Sequence, residues 1–398
     1  MRNPHITGVP HHGPRRRTRM SAVAIAGSLV LTACSGGGGS KDSSRTEIVI
    51  GLNLELSGAG SFLGEGMQAG VKAAVAKINA AGGIGGRQIT VIARDNGSDP
   101  TRAAALVSEL GREGADLIIG PGFAQDCAAA APILTREDIV GLCVSAGDLP
   151  KDDARTFGIG IDYSTMEKAI AAQFADDGVK RVGLVAAKDT SGDQTVGIFV
   201  DVAKARGITV DVERFNGPAS NLTPQLLALS RKNPSVIRIQ ATGPDALVGV
   251  ANVKALGIKT PTWLPNSAAS RRFADQVKGD VGAGNILTWI PAMLAPGGAE
   301  DHPKQAEQIK ALSAALPKAD TISAAGWDAL QVAAAALRKA GSAETKDLVA
   351  ALESGEKYFG AYSVQQITAD DHRGASEEGT LLPALLTPEG GFDLRDAP

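Results

Sequence analysis

The sequence predicts an α/β fold with parallel sheets, and three observations lead there. Short apolar runs rich in Val, Ile and Leu alternate with alanine-rich stretches whose apolar residues recur at three- and four-residue spacings. Gly and small polar residues mark the passages between them. Past residue 45 the remaining length suits two domains of about 150–200 residues, each able to bury its own core.

In chain order, the first element is not part of that fold. Arg15, Arg16, Arg17 and Arg19 precede thirteen apolar or small residues, 21–33, and Cys34 follows. A bilayer-spanning helix needs about 20 residues, so 1–33 reads as a signal peptide. Leu31-Thr32-Ala33-Cys34 resembles the lipobox of bacterial lipoproteins, which implies acylation at Cys34 and a lipid anchor on the extracytoplasmic face of the cell membrane. Residues 34–45, from Ser35-Gly-Gly-Gly-Gly through Ser44, hold nothing apolar to bury and read as a flexible tether.

The folded body should begin near Thr46. Glu47 to Asn53 reads as a strand, and Gly66 to Ala80 as a helix carrying Met67, Val71, Ala74, Val75 and Ile78 on one face. The strand signal returns at 88–94, 115–120, 140–144, 179–186 and 236–240. Between these lie helical stretches at 100–113, 125–135, 166–176, 192–206, 222–232 and 244–256. This alternation is what parallel α/β architecture requires.

Composition excludes several functions. Removing residues 1–33 takes five arginines and no acid from a chain of 40 basic and 43 acidic residues, so the body carries a formal charge of −8. Such a body is a poor partner for nucleic acid. Past residue 33 only His302 and His372 remain, which leaves little material for a metal site or a His-based triad. Ser354-Gly-Glu-Lys357 has the Ser-x-x-Lys spacing but no companion motif, and reads as a polar turn. Gly64-Glu-Gly66-Met-Gln-Ala-Gly70 has a dinucleotide-like look, yet its glycines come too far after the strand, and no cofactor is expected. Cys127 and Cys143 form an even pair in an exported chain, which favours a disulfide, with two free buried thiols as the alternative.

The order Ile48-Val-Ile-Gly-Leu-Asn-Leu-Glu-Leu-Ser57-Gly58, then Gly64-Glu-Gly66, then Ile78-Asn79-Ala-Ala-Gly82-Gly83-Ile84-Gly-Gly86-Arg87, with Asp95 and Asp99-Pro100, resembles the leucine/isoleucine/valine-binding proteins of ATP-driven importers. The resemblance implies the type I periplasmic binding fold, two Rossmann-like lobes joined by a three-strand hinge with ligand between them. It places 46–161 with 289–372 in one lobe and 162–288 with 373–398 in the other. It also implies a membrane-embedded ABC permease as partner.

The residues alone point the same way, because parallel sheets bind ligands beyond the carboxyl ends of their strands. Four loops there offer small or polar residues: 120–126, 145–150, 187–192 and 240–245. Carried across by position, the family's carboxylate contacts fall on Ala124 beside Gln125, and on Ala146, Gly147 and Asp148. Its ammonium contacts fall on Asp162 and Asn266, and its pocket tyrosines on Ser191 and Thr242. Asp148 would repel a carboxylate, and the loss of a Glu and two tyrosines strips charge and aromatic surface from the second lobe. The expected ligand is therefore a small polar solute, either an amino acid or a related compound such as an amide, polyol or aromatic acid. Leu63, Phe123 and Trp289 are candidates for an apolar wall. No catalysis is expected, and a sensor subunit for a membrane receptor is the alternative role.

Overall fold

The computed structural model describes residues 46–149, 154–241, 243–281, 285–375 and 381–395. Cys34 and the segment before it lie outside the described residues, so signal and anchor remain expectations. Five strands, β1 (Glu47–Leu54), β2 (Gln88–Asp95), β3 (Leu117–Ile119), β4 (Val140–Cys143) and β5 (Thr156–Gly158), form a wholly parallel sheet in the order β2-β1-β3-β4-β5. β1, β3 and β4 are buried on both faces apart from Glu47, which explains continuous apolar runs where a half-exposed strand would alternate. Helices α1 (Ser61–Ala80), α2 (Pro100–Arg112) and α3 (Ala124–Glu137) make the crossovers.

The second sheet has seven strands in the order β14-β13-β10-β9-β8-β6-β7. Its parallel part is β6 (Arg181–Ala187), β7 (Thr209–Phe215), β8 (Val236–Gln240), β9 (Thr262–Trp263) and β10 (Ile286–Pro291), with α4 (Tyr163–Asp176), α5 (Thr190–Lys204), α6 (Thr223–Ser230), α7 (Pro244–Ala255) and α8 (Arg271–Val277) packed around it. After β10 the chain returns to the first sheet with α9 (Gly298–Asp301), α10 (Ala306–Ala315), α11 (Thr321–Ala340) and α12 (Thr345–Leu352). Ile309, Leu312, Ile322 and Trp327 from these helices share one core with Ile48 and Ile50. A ribbon of β11 (Tyr358–Phe359) and β12 (Val364–Gln365) follows. The chain then goes back to the second sheet, where β13 (Leu381–Leu386) runs antiparallel to β10 and pairs with β14 (Phe392–Leu394). These two strands add an antiparallel edge to an otherwise parallel sheet.

The glycines of α1 serve contact between helices. A Cβ at Gly70 would run into Ser323 O, and one at Gly326 would run into Met67 O, so α1 and α11 lie backbone to backbone. Asp320 and Ser323 cap α11 reciprocally. In the second lobe Arg238 and Glu167 form a buried bidentate ion pair at 2.6 and 3.0 Å, with the guanidinium 4.2 Å from the Phe199 ring centroid. Cys127 of α3 is bonded to Cys143 of β4, their Cα atoms 6.0 Å apart.

Candidate functional site

A cavity of about 500 Å³ lies between the two sheets, walled by the segments that leave the carboxyl ends of their strands. The first lobe contributes Gly122 to Gln125 after β3, Val144 to Ala146 after β4 and Ile159 to Ile161 after β5. Leu63 and Met67 of α1 and Ile322 of α11 add an apolar side. From the second lobe come Ala187 at the end of β6 with Lys188, Asp189 and Ser191 beyond it, Gln240 at the end of β8, and Pro265 to Ser267 after β9. Tyr362, from the turn between β11 and β12, completes the wall. Two opposed sets of loops thus present donors and acceptors to one small volume.

Local sequence dictates how each loop reaches this edge. Gly120 sits at φ +98°, where a side chain would collide with Asn53 O, so the turn out of β3 accepts only glycine. A Cβ at Gly147 would meet that of Ala124, which is how the loop after β4 comes against α3. Asp162 caps α4 by accepting from Thr165 N at 2.8 Å, and Asp189 caps α5 by accepting from Gly192 N at 2.7 Å. Arg373 reaches across to hold the loop after β4, donating from Nη1 to Ser145 O at 2.7 Å and from Nη2 to Gly147 O. Burial depresses its pKa, while Asp162, Asp148 and Asp371 support its charge.

Two phenols set the polar character of the cavity. Tyr163 Oη and Ser191 Oγ are 2.7 Å apart, and Tyr362 Oη accepts from Asn266 Nδ2 at 2.9 Å. Burial pushes the Tyr163 hydroxyl up to about 12 against the pull of Ser191, and raises Tyr362 as well. Both therefore stay neutral, able to donate and accept. Asp328 of α11 fixes the Tyr362 turn by accepting from the backbone N–H groups of Ala361, Tyr362 and Ser363 at 2.8, 2.9 and 3.1 Å. Among the described residues no group of three or more His, Cys, Asp or Glu could hold a metal ion.

A family model described as periplasmic binding protein matches residues 47–380. The chain belongs to the periplasmic binding protein family. Its fold is that of type I periplasmic binding proteins. This binding protein is 21% identical over 350 residues to the Leu/Ile/Val-binding protein homolog 1 of Brucella abortus, covering 85% of this chain and 88% of the relative. It is 23% identical over 355 residues to the leucine-, isoleucine-, valine-, threonine- and alanine-binding protein of Pseudomonas aeruginosa, covering 86% and 89%. Among solved structures, the leucine binding protein of Thermotoga maritima matches with a TM-score of 0.77 at 17% identity, over 87% of this chain and 97% of that one. An extracellular ligand-binding receptor from Rhodopseudomonas palustris matches with 0.77 at 22% identity, over 88% and 100%.

Of the positions read from the sequence, the binding protein brings Ala124, Gln125, Ala146, Ser191 and Asn266 to one cavity. Thr242 lies outside the described residues. Gly147 and Asp148 flank the wall with their amides engaged, Gly147 N by Ser145 Oγ at 3.1 Å and Asp148 N by Gln194 Oε1 at 3.3 Å. Asp162 does not line the cavity; besides Thr165 N it accepts from Thr165 Oγ1 at 2.9 Å, so its carboxylate serves the helix end. Leu63 and Phe123 face the cavity, whereas Trp289 stacks on Trp263 at 4.7 Å inside the second lobe's core. The loss of aromatic surface inferred from Ser191 is corrected by Tyr163, which stands over that serine. The signal for it was in view, since Tyr163 directly follows Asp162. Tyr362 and Arg373 gave no local signal, because their partners lie 96 and 228 residues away.

Proposed function

We propose that this binding protein is the extracytoplasmic, lipid-anchored solute-binding component of an ATP-driven importer, and that it closes two lobes on a small polar solute without catalysing a reaction. The observation that carries the reading is the cavity faced by carboxyl-edge loops of both sheets, since neither lobe alone can surround a small molecule. Its size falls in the range of small-molecule sites, about 300–1,000 Å³. Ser145, Ser191, Gln240, Asn266, Tyr163 and Tyr362 offer neutral hydrogen bonds, while Leu63, Met67, Phe123 and Ile322 offer an apolar side. That combination suits an amino acid or a related compound with a polar head and a short apolar body. The relatives named for leucine, isoleucine and valine binding support the class. Lipidation rests on the residues before and at Cys34.

A thermal-shift panel of amino acids, amides, polyols and aromatic acids tests the reading. A ligand bound only by the folded state stabilises it by about 2.7 kcal/mol at a hundredfold excess over Kd. One class should raise the melting temperature and compact the particle in small-angle scattering. Tight binding without compaction would refute lobe closure. Mass spectrometry of membrane-extracted protein should find an acylated Cys34 peptide, and unmodified protein cleaved elsewhere would refute the anchor.

A further inference from the structure

Directly behind the cleft wall lie two buried carboxyl groups. Glu55 follows β1 and has no exposed surface. Its oxygens accept from Gly122 N at 3.0 and 3.1 Å, from Phe123 N at 3.1 Å and from Asn96 Nδ2 at 3.4 Å. Asp126, in the first turn of α3, is equally buried, and neither of its oxygens meets a donor. The charged groups that act on Asp126 are both acids: Glu55, within hydrogen-bonding reach, and Asp99 at the N-terminus of α2. The other side-chain polar neighbours of Glu55 are neutral, since Asn96 donates to it and Asn53 spends its amide on Ala103 O at 2.8 Å. From α1 the methionine Met67 borders Gly122.

A buried carboxylate without donor or counter-ion keeps its proton, and two carboxyls in contact hold one between them. Protonated, Asp126 donates to Glu55, and the other lone pairs of Glu55 take the Gly122 and Phe123 amides. We propose that Glu55 and Asp126 share one proton, and that this proton fixes the Gly122–Gln125 segment in the wall of the cleft, with Asp126 as its positioning residue. The proposal rests on the binding role argued above for that wall. Losing the proton leaves two adjacent buried anions, and the repulsion is relieved by moving the first turn of α3, which carries Ala124 and Gln125, away from Glu55. Burial first, and then the Glu55 charge, raise Asp126 to about 7, and burial raises Glu55 too, so the change falls in the neutral range.

The experiment uses the exported protein without any solute, so it is decided independently of whether the ligand panel succeeds. Amide hydrogen exchange at Gly122 and Phe123 is followed by NMR at pH 6 and pH 8.5, corrected for base catalysis, together with the side-chain carboxyl resonances. Protection at both amides should fall about tenfold at the higher pH, the equivalent of one pKa unit of interaction. A carboxyl resonance should titrate near neutrality. Asp126→Asn keeps the shape and donates permanently to Glu55, so both the pH dependence and that resonance should vanish. Glu55→Gln provides a second arm: its amide donates to Asp126, whose titration should move to clearly lower pH. Equal protection at the two pH values in the parent, or an unchanged loss in Asp126→Asn, would overturn the proposal.

Discussion

Asn266 Nδ2 donates to Tyr362 Oη over 2.9 Å, and this bond ties the loop after β9 to the turn that Asp328 holds against α11. Tyr362→Phe keeps the ring but leaves the Asn266 amide without its acceptor. Stability should fall by about 1 kcal/mol in urea denaturation. Scattering should show a wider spread of lobe separations. If both match the parent, the bond does not restrain the lobes.

Asp162→Ala removes the cap of α4 and should cost about 1 kcal/mol. Asp162→Ser restores an acceptor for Thr165 N and should recover most of it. Should the two variants melt alike while both lose solute affinity, Asp162 would be a ligand contact after all.

Asp126 also makes stability depend on pH. Its carboxyl is raised from 3.8 to about 7 in the folded chain, so between those values the folded state binds more protons than the unfolded one. Stability contributed at this site therefore falls as pH rises from about 4 to about 7 and then levels off. Denaturation series from pH 4 to pH 8 should show that slope in the parent and a smaller one in Asp126→Asn. Parallel series for the two proteins would contradict the assignment.

Arg238→Met strands Glu167, 1% exposed, without its counter-charge. About 3–5 kcal/mol should be lost. Adding Glu167→Leu removes the stranded charge and should recover most of the loss. A double variant as unstable as the single one would show that the packing of Arg238 on Phe199 matters more than the pair.

In the first lobe β1, β3 and β4 were legible because they are buried on both faces, so Ile48, Ile50, Leu117 and Leu142 stand in unbroken apolar runs, whereas β5, equally buried, is too short at three residues to give a signal. β7 was not, because it lies at the edge of its sheet and Asp211, Glu213 and Arg214 interrupt its pattern. β13 carries Pro383 and is only partly buried, which hides it too. At the site, Ala124, Ser191 and Asn266 were found through their order along the chain. Arg373 and Tyr362 were not, since what makes them matter is a partner far away in sequence. Asp162 was read for its charge, while its distance of three residues from Thr165 already spelled a helix start.

The close contact of α1 with α11 bears on timing. The glycine face of α1, at Gly66 and Gly70, has nothing to lie against until residues 321–340 arrive, so a chain stopped after β10 holds a first lobe with half a core. The smallest stretch able to fold is therefore nearly the whole body. Truncated chains should be substrates for proteases and not half-sized binders, and neither lobe can be obtained by cutting the chain at one point.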